Sequence, residues 1–402
     1  MNKRIVITGL GVISSIGIGW QEFWDSLLKG KSGISDVSSF DTTGHFTHRG
    51  GEVKNFRPTD FIPEEDLKFL NRSSQMALAS SMLALQDSAF TREYLDNHSV
   101  GVSFGTTLGD AQTIEDIDIL LVNNQSISND LICQTPTYSA ASNIAKKYRF
   151  KGPLSMFTTA CAAGNYAIAY GCDLIKLNKA DIVIAGASDP FSRIEYTGFN
   201  QLGAVAPEKC QPFDKNRRGM MVAEGSGVLV IEPLENALGR NAPIYAEILG
   251  YGLSCDASHM TQPSSMGITQ CMITAMSEAG INKEDVDYIC AHGTGTLAND
   301  KNECVAVKQV FGDRYKQIPM NSIKSMLGHS MGAASALEAI TCALVVKNDI
   351  VPPTINFETP DPECDIDCVP NQSRKHIVNI ALNNSYAFGG NNACLVLKKY
   401  IP

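Results

Sequence analysis

Three short stretches of this 402-residue chain set reactive side chains among small or glycine-rich neighbours. In "TTACAAGNYAI" (158–168), Cys161 lies between hydroxyl residues and a run of alanine and glycine. In "YICAHGTGT" (288–296), His292 follows an apolar strand, and Gly293 and Gly295 permit an unusual turn there. In "SIKSMLGHSMGAASALE" (322–338), Lys324 comes five residues before His329, at the entry to a helix of small residues. Cysteine beside histidine is a candidate nucleophile and base, and lysine supplies positive charge. The start of a helix favours a thiolate or an oxyanion, by up to ~2 kcal/mol. Free cysteine is also a common small core residue, so Cys161 needs partners before it counts as reactive. His45, His48, His98 and His376 stand in polar surroundings and read as surface residues.

Internal repetition supplies those partners. "RIVITGLGVIS" echoes "IYAEILGYGLS", and "SVGVSFGTTLG" echoes "VDYICAHGTGT". "LSMFTTACAAGNYAIAYGCDLI" echoes "MNSIKSMLGHSMGAASALEAIT", and "GVLVIEPLE" echoes "ACLVLKKY". Strands alternating with helical stretches predict an α/β protein with a buried sheet. The helix after Cys161 has no charge before Asp173, and Gly332–Val346 carries only Glu338. Two such helices are expected back to back between two sheets, which brings Cys161 and His329 toward one pocket. The halves are 1–243 and 244–402. Segments 40–95 and 105–150 are expected to form a cap, with 61–90 as one of its helices.

The chain is 44% hydrophobic and 19% charged, as soluble globular proteins are. A net charge of -9 without a basic cluster argues against nucleic-acid binding. Twelve scattered cysteines without a CxxC pair suit a reducing compartment and predict no metal site. Gly9-Leu10-Gly11 lacks the third glycine of a dinucleotide-binding turn. The glycine-broken N-terminal apolar run fits neither a signal peptide nor a membrane span, and points to a cytoplasmic protein.

"TACAAG", "AHGTGT", "KSMLGHSMGAA" and "NSYAFGG" together resemble the elongating, type II β-ketoacyl-[acyl carrier protein] synthases, condensing enzymes of the thiolase-fold superfamily. The likeness runs from Arg4 to Lys399. It implies a duplicated thiolase-like α/β fold with five layers, α-β-α-β-α. It also implies an acyltransferase in which Cys161 takes an acyl group from an acyl carrier protein. His292 and His329 would then stabilise the enolate formed as a malonyl thioester loses carbon dioxide, and the chain would grow by two carbons. By the same resemblance, the backbone of Cys161 and Phe388 forms an oxyanion hole, and Leu108 and Phe388 gate the pocket with Gly389 and Gly390. Thr294 and Thr296 meet the phosphopantetheine arm that the carrier brings. Lys324 is supported by Glu303, with Asp300 nearby. No metal or organic cofactor is implied. The partners implied are the carrier and a second copy of the chain, in a homodimer joined through strands.

Three places depart from that family's pattern. Ala387 stands where the family's loop has its first glycine, and would be strained if that position needs a positive φ. Glu64, Glu65 and Asp66 precede Lys68 and Arg72 where relatives present basic residues to the carrier. The segment between Phe199 and Phe213 is compact. A specialised lipid or polyene pathway is thus plausible beside ordinary fatty-acid elongation. Two rival readings are a thiolase using coenzyme A, with Cys394 as second cysteine, and a non-catalytic chain-length-factor-like subunit, which would lack the active cysteine.

Overall fold

The repeated apolar runs become strands because each is covered on both faces, and β1 (Ile5–Ser14) is buried along its whole length. The computed structural model describes residues 3–402. The other strands that build the main sheet are β2 (Val100–Gly105), β3 (Leu154–Phe157), β4 (Ile182–Asp189) and β5 (Gly225–Pro233). The second half supplies β6 (Ala246–Cys255), β7 (Tyr288–Cys290), β8 (Met320–Asn321), β9 (Ile380–Tyr386) and β10 (Asn391–Lys398). Their order is β3-β2-β4-β5-β1-β6-β10-β9-β7-β8. Outward from the centre, each half pairs antiparallel twice and then parallel twice. All four sequence echoes fall on equivalent strands, and β4 and β9 add a fifth pair.

The two expected sheets are present but not separate. They join at a seam where Ile5, Val6 and Ile7 pair antiparallel with Ile248, Glu247 and Ala246. Six helices matter for the site: α1 (Arg72–Asp87), α2 (Ala163–Lys176), α3 (Arg193–Gln201), α4 (Ser265–Ala279), α5 (Leu297–Phe311) and α6 (Gly332–Asn348). Helices α2 and α6 lie together between the half-sheets, α2 against β4 and α6 against β5 and β9. Every residue of α6 from Gly332 to Val346 is buried. A Cβ on Gly164 would come within 2.7 Å of the Ala336 backbone nitrogen, so glycine there sets the separation of the two helices.

One expectation about the cap is corrected. Residues 61–90 do not form a single helix: a short turn, Glu64–Leu67, is followed by α1. Asn71 divides them, because its side chain accepts the Ser74 N–H at 2.8 Å and caps α1. Helix α1 is also no cap, since it packs on β1 and β5 as the outer layer of the first half. Helix α4 covers β6 and β10 in the same way, with α5 beside it, which completes the five layers. The paired glycines of the repeat explain this fit. A Cβ on Gly11 would lie 1.8 Å from the Ser80 carbonyl oxygen, and one on Gly252 would lie 2.1 Å from that of Cys271. Gly9-Leu10-Gly11 is therefore a helix seat.

Gly11→Ala should lower the urea-unfolding free energy by about 1–3 kcal/mol or more, since backbone must shift. Gly198→Ala in α3, where no atom lies within 4 Å of the new Cβ, should raise it by about 0.5–1 kcal/mol. Equal effects from the two would contradict this account of the repeat.

Candidate active site

Strand β3 ends three residues before Ala160, whose φ of +48° is one alanine seldom adopts. A single 3₁₀ turn, Ala160–Ala162, then feeds α2. This bend places Cys161 at the head of α2, 8% exposed, with its carbonyl held by the Ser385 hydroxyl at 2.9 Å. Such strain, of order 1–3 kcal/mol, persists where surrounding structure over-determines the backbone. The matching turn of the second half has its own positive φ, at Met331, just before α6.

Those two helix starts bring the predicted pair together. His329 Nε2 lies 3.2 Å from Cys161 Sγ. The His292 ring stands edge-on to that of His329, with centroids 5.5 Å apart, and Tyr386 packs against its other side. One ligand atom from each of Cys161, His292 and His329 falls within 4.8 Å of the others. His292 Nδ1 and His329 Nδ1 have no hydrogen-bond partner among the described residues, so no contact at Nδ1 fixes either tautomer.

Helix α5 holds the turn that carries His292. Glu303 accepts the backbone N–H groups of His292 and Gly293, at 2.9 and 2.8 Å. One turn earlier, Asp300 accepts those of Gly295 and Phe213, at 3.1 and 2.9 Å. Thr296 caps the same helix, and its hydroxyl lies 2.9 Å from that of Thr294. The expected pairing of Lys324 with Glu303 is corrected: Lys324 forms a fully buried ion pair with Glu338 of α6. Glu338 is the lone charge between Gly332 and Val346 of α6, and that isolation was the available signal. Glu303 approaches from the outer layer and is used up on backbone N–H groups.

Burial dominates the electrostatics. It pushes the Cys161 thiol up to about 12, with the Lys324 charge acting the other way. Burial and then Lys324 hold His292 and His329 well below the ordinary histidine range, so both rings are neutral. Burial raises Glu303 to about 8 and Glu338 to about 7. At rest the site therefore holds a thiol and two neutral imidazoles. Ionising Cys161 requires its proton to pass to a neighbour, and His329 Nε2 is at hydrogen-bonding distance.

A cleft open at its mouth leads to Cys161. Cys161, His292, His329, Thr294, Thr296 and Phe388 all line it. Leu108 does not: it is 45% exposed and away from this cleft. The loop with Ala387 is also corrected. Ala387 has φ −108°, an extended conformation open to any residue, so alanine is unstrained. The positive φ values fall on Gly389 and Gly390, at +83° and +82°. A neighbouring loop that sequence reasoning missed clasps this turn. Gly389 N–H donates to the Met260 carbonyl at 2.8 Å, and Asp256 N–H to that of Gly390 at 2.9 Å. Asp256 also accepts from Asn392 and the Ser264 N–H, while His259 lines the cleft. The compact segment after Phe199 forms the opposite wall, where the Phe199 and Phe388 rings lie 5.9 Å apart. Arg72, grouped by sequence with surface charges, is instead bound to Glu224 at 2.6 Å.

Buried carboxyls make stability depend on pH. Native Glu303 keeps its proton to about pH 8, whereas an unfolded glutamate releases it near 4.5. Between those values the native state binds more protons, so stability falls as pH rises. Both histidines act in the opposite sense, but only near and below their ordinary 6.5. The unfolding free energy should thus fall from about pH 7 to 8.5, and Glu303→Gln should flatten that slope. An unchanged slope in the variant would contradict the assignment.

Residues 2–237 match the family described as Beta-ketoacyl synthase, N-terminal domain, and residues 245–358 match its C-terminal domain. The 3-oxoacyl-[acyl-carrier-protein] synthase 2 of Synechocystis sp. is 39% identical over 99% of this chain and 98% of its own. That of Coxiella burnetii is also 39% identical, over 99% of each chain. Among solved structures, the ishigamide ketosynthase/chain length factor superposes with a TM-score of 0.97 at 41% identity, covering all of both chains. A type II PKS ketosynthase, in complex with its acyl-carrier protein and bound to the hexaketide, superposes with a TM-score of 0.91 at 34% identity, again over all of both chains. With a duplicated sheet, a cysteine at the head of one central helix and a histidine at the head of the other, the chain belongs to the β-ketoacyl synthase family.

Proposed function

We propose that the chain is a 3-oxoacyl-[acyl-carrier-protein] synthase that lengthens a carrier-bound acyl chain by decarboxylative condensation. The observation that carries this reading is the 3.2 Å approach of Cys161 Sγ to His329 Nε2, with His292 beside them. In the loading step Cys161 passes its proton to His329 and attacks the acyl thioester. The backbone N–H groups of Cys161 and Phe388 hold the oxyanion. The departing carrier thiolate takes the proton, which returns His329 to its neutral form. A malonyl thioester then enters and loses carbon dioxide. Neutral His292 and His329 donate to its carbonyl oxygen, which stabilises the enolate. The enolate carbon attacks the acyl-enzyme carbonyl, Cys161 leaves as thiolate and is reprotonated, and a β-ketoacyl chain remains on the carrier.

The half 1–243 supplies the nucleophile, and the half 244–402 supplies both histidines and Lys324, whose charge helps keep those rings neutral. Phosphopantetheine arrives on the carrier substrate, so no resident cofactor is assigned. Thr294 and Thr296 receive that arm along the cleft. Exposed Arg218 lines the outer cleft with Thr296, Gln262 and Phe388, and is suited to the phosphate or the acidic carrier. No helix among the described residues is long and apolar enough to cross a membrane. We place the chain in the cytoplasm as a homodimer. Strand β3 ends the sheet with an open edge, and Leu154 on it is 42% exposed, which favours pairing with a second copy. Against the thiolase reading, Cys394 is fully buried in β10 and does not line the cleft. Against an inactive subunit, Cys161 and its partners are all present.

Intact-mass spectrometry after mixing with an acyl-loaded carrier should show one acyl adduct on the wild type and none on Cys161→Ala. Condensation should follow with malonyl-carrier, and should not follow with acetyl-coenzyme A. Failure to form the adduct would sink the synthase reading. His292→Ala should still load but condense about 10²–10³-fold more slowly, as expected when one donor to a developing oxyanion is lost. Arg218→Glu should raise KM for the loaded carrier while leaving kcat near wild type. An unchanged KM would remove Arg218 from the docking surface.

A further inference from the structure

Residues four apart share a face of a helix, so α3 presents Glu195 and Phe199 to the same side. Phe199 lines the Cys161 cleft and meets Phe388. Glu195 lies about 6 Å back along the same helix, behind the residues that line the cleft, and the burial of the helix increases toward it. It is 5% exposed, and its Oε2 is buried without a hydrogen-bond partner among the described residues. The hydroxyl of Thr107 is another of the buried atoms in that condition. Neighbouring carboxyls are provided for. Asp189 accepts from the Thr106 hydroxyl and the Thr107 and Gly332 N–H groups, and Asp110 accepts from the Ser73 and Thr113 N–H groups. The mechanism above uses none of these oxygens, and of these three neighbouring carboxyls Glu195 is the one with a buried oxygen unpartnered among the described residues.

We propose that Glu195 selects the acyl chain carried on Cys161: an oxygen-bearing chain pairs its buried carboxyl, whereas a saturated alkyl chain leaves it orphaned. This rests on the reading of Cys161 as the residue that carries the chain. Burial, and then the negative charges of Asp189 and Asp110, hold the Glu195 carboxyl well above the usual range, so it is neutral and has an O–H to donate. A hydroxyl or keto oxygen on the chain accepts that O–H. A methylene cannot, and leaving a buried polar group unpaired weakens binding roughly ten- to hundred-fold. The substrate class is therefore an acyl chain that retains oxygen functionality.

The test compares loading of Cys161 by octanoyl-carrier with octanoyl chains bearing one hydroxyl at carbon 3, 5 or 7, each followed by intact mass. Wild type should load at least one hydroxylated chain about ten-fold faster, in kcat/KM, than the saturated one. Glu195→Leu, of similar volume, should abolish that ratio, and Glu195→Gln, which still donates, should keep most of it. An equal ratio in wild type and Glu195→Leu would overturn the proposal. So would a wild type that prefers the saturated chain over all three, a result that decides the matter even if Glu195→Leu fails to fold. Loading of no chain at all would instead sink the reading of Cys161, and this inference with it.

Discussion

The close approach of two buried helices is the constraint from which the site follows. Helices α2 and α6 meet where Gly164 faces the Ala336 backbone, and only a residue without Cβ fits. The contact is then locked by polar groups that bulkier neighbours would have displaced. Asn165 N–H donates to the Ser335 hydroxyl at 3.2 Å, and the Asn383 amide bridges Asn165 and the Ser335 carbonyl, at 2.8 and 2.9 Å. Because both helices begin at the same end of the sheets, fixing their separation also fixes that of Cys161 and His329. Nucleophile and base are held by backbone, on elements too well packed to drift.

That burial sets the chemistry as well. Water would allow Cys161 to ionise alone and would let the histidines take up protons. In the dry core the thiol rises to about 12 and both rings stay neutral. A buried ion pair such as Lys324–Glu338 brings little net stability, although removing one partner costs about 3–5 kcal/mol. Its consequence here is local. A fixed positive charge beside two imidazoles disfavours imidazolium, which keeps their N–H groups available as neutral donors.

Much of this was legible because repeats and local motifs write themselves into composition. The paired echoes located the equivalent strands, and the small-residue runs marked α2 and α6. Cys161, His292 and His329 were found at helix or strand ends, Thr294 and Thr296 by resemblance, and all five line one cleft. What escaped depended on partners distant in sequence. Residues 61–90 read as one helix with an apolar period only from Asn71 onward, but the Asn71 cap starts α1 there and the glycines of β1 draw α1 into the outer layer. Lys324 was assigned Glu303 by resemblance, whereas the fold pairs it with Glu338 of α6 and leaves Glu303 on the backbone N–H groups of His292 and Gly293. Ala387 looked strained because a glycine was expected there, yet the loop puts its positive φ values on the next two glycines.

Residue types and their order were enough to point to duplication, a candidate nucleophilic cysteine and two histidines, since each rests on short-range pattern. They could not say which charges meet, because an ion pair in a core is settled by the rotation and separation of whole helices. Nor could they mark Glu195, an ordinary helical glutamate in the sequence. Only when α3 turns that side inward does it become a buried carboxyl with an oxygen left unpartnered among the described residues.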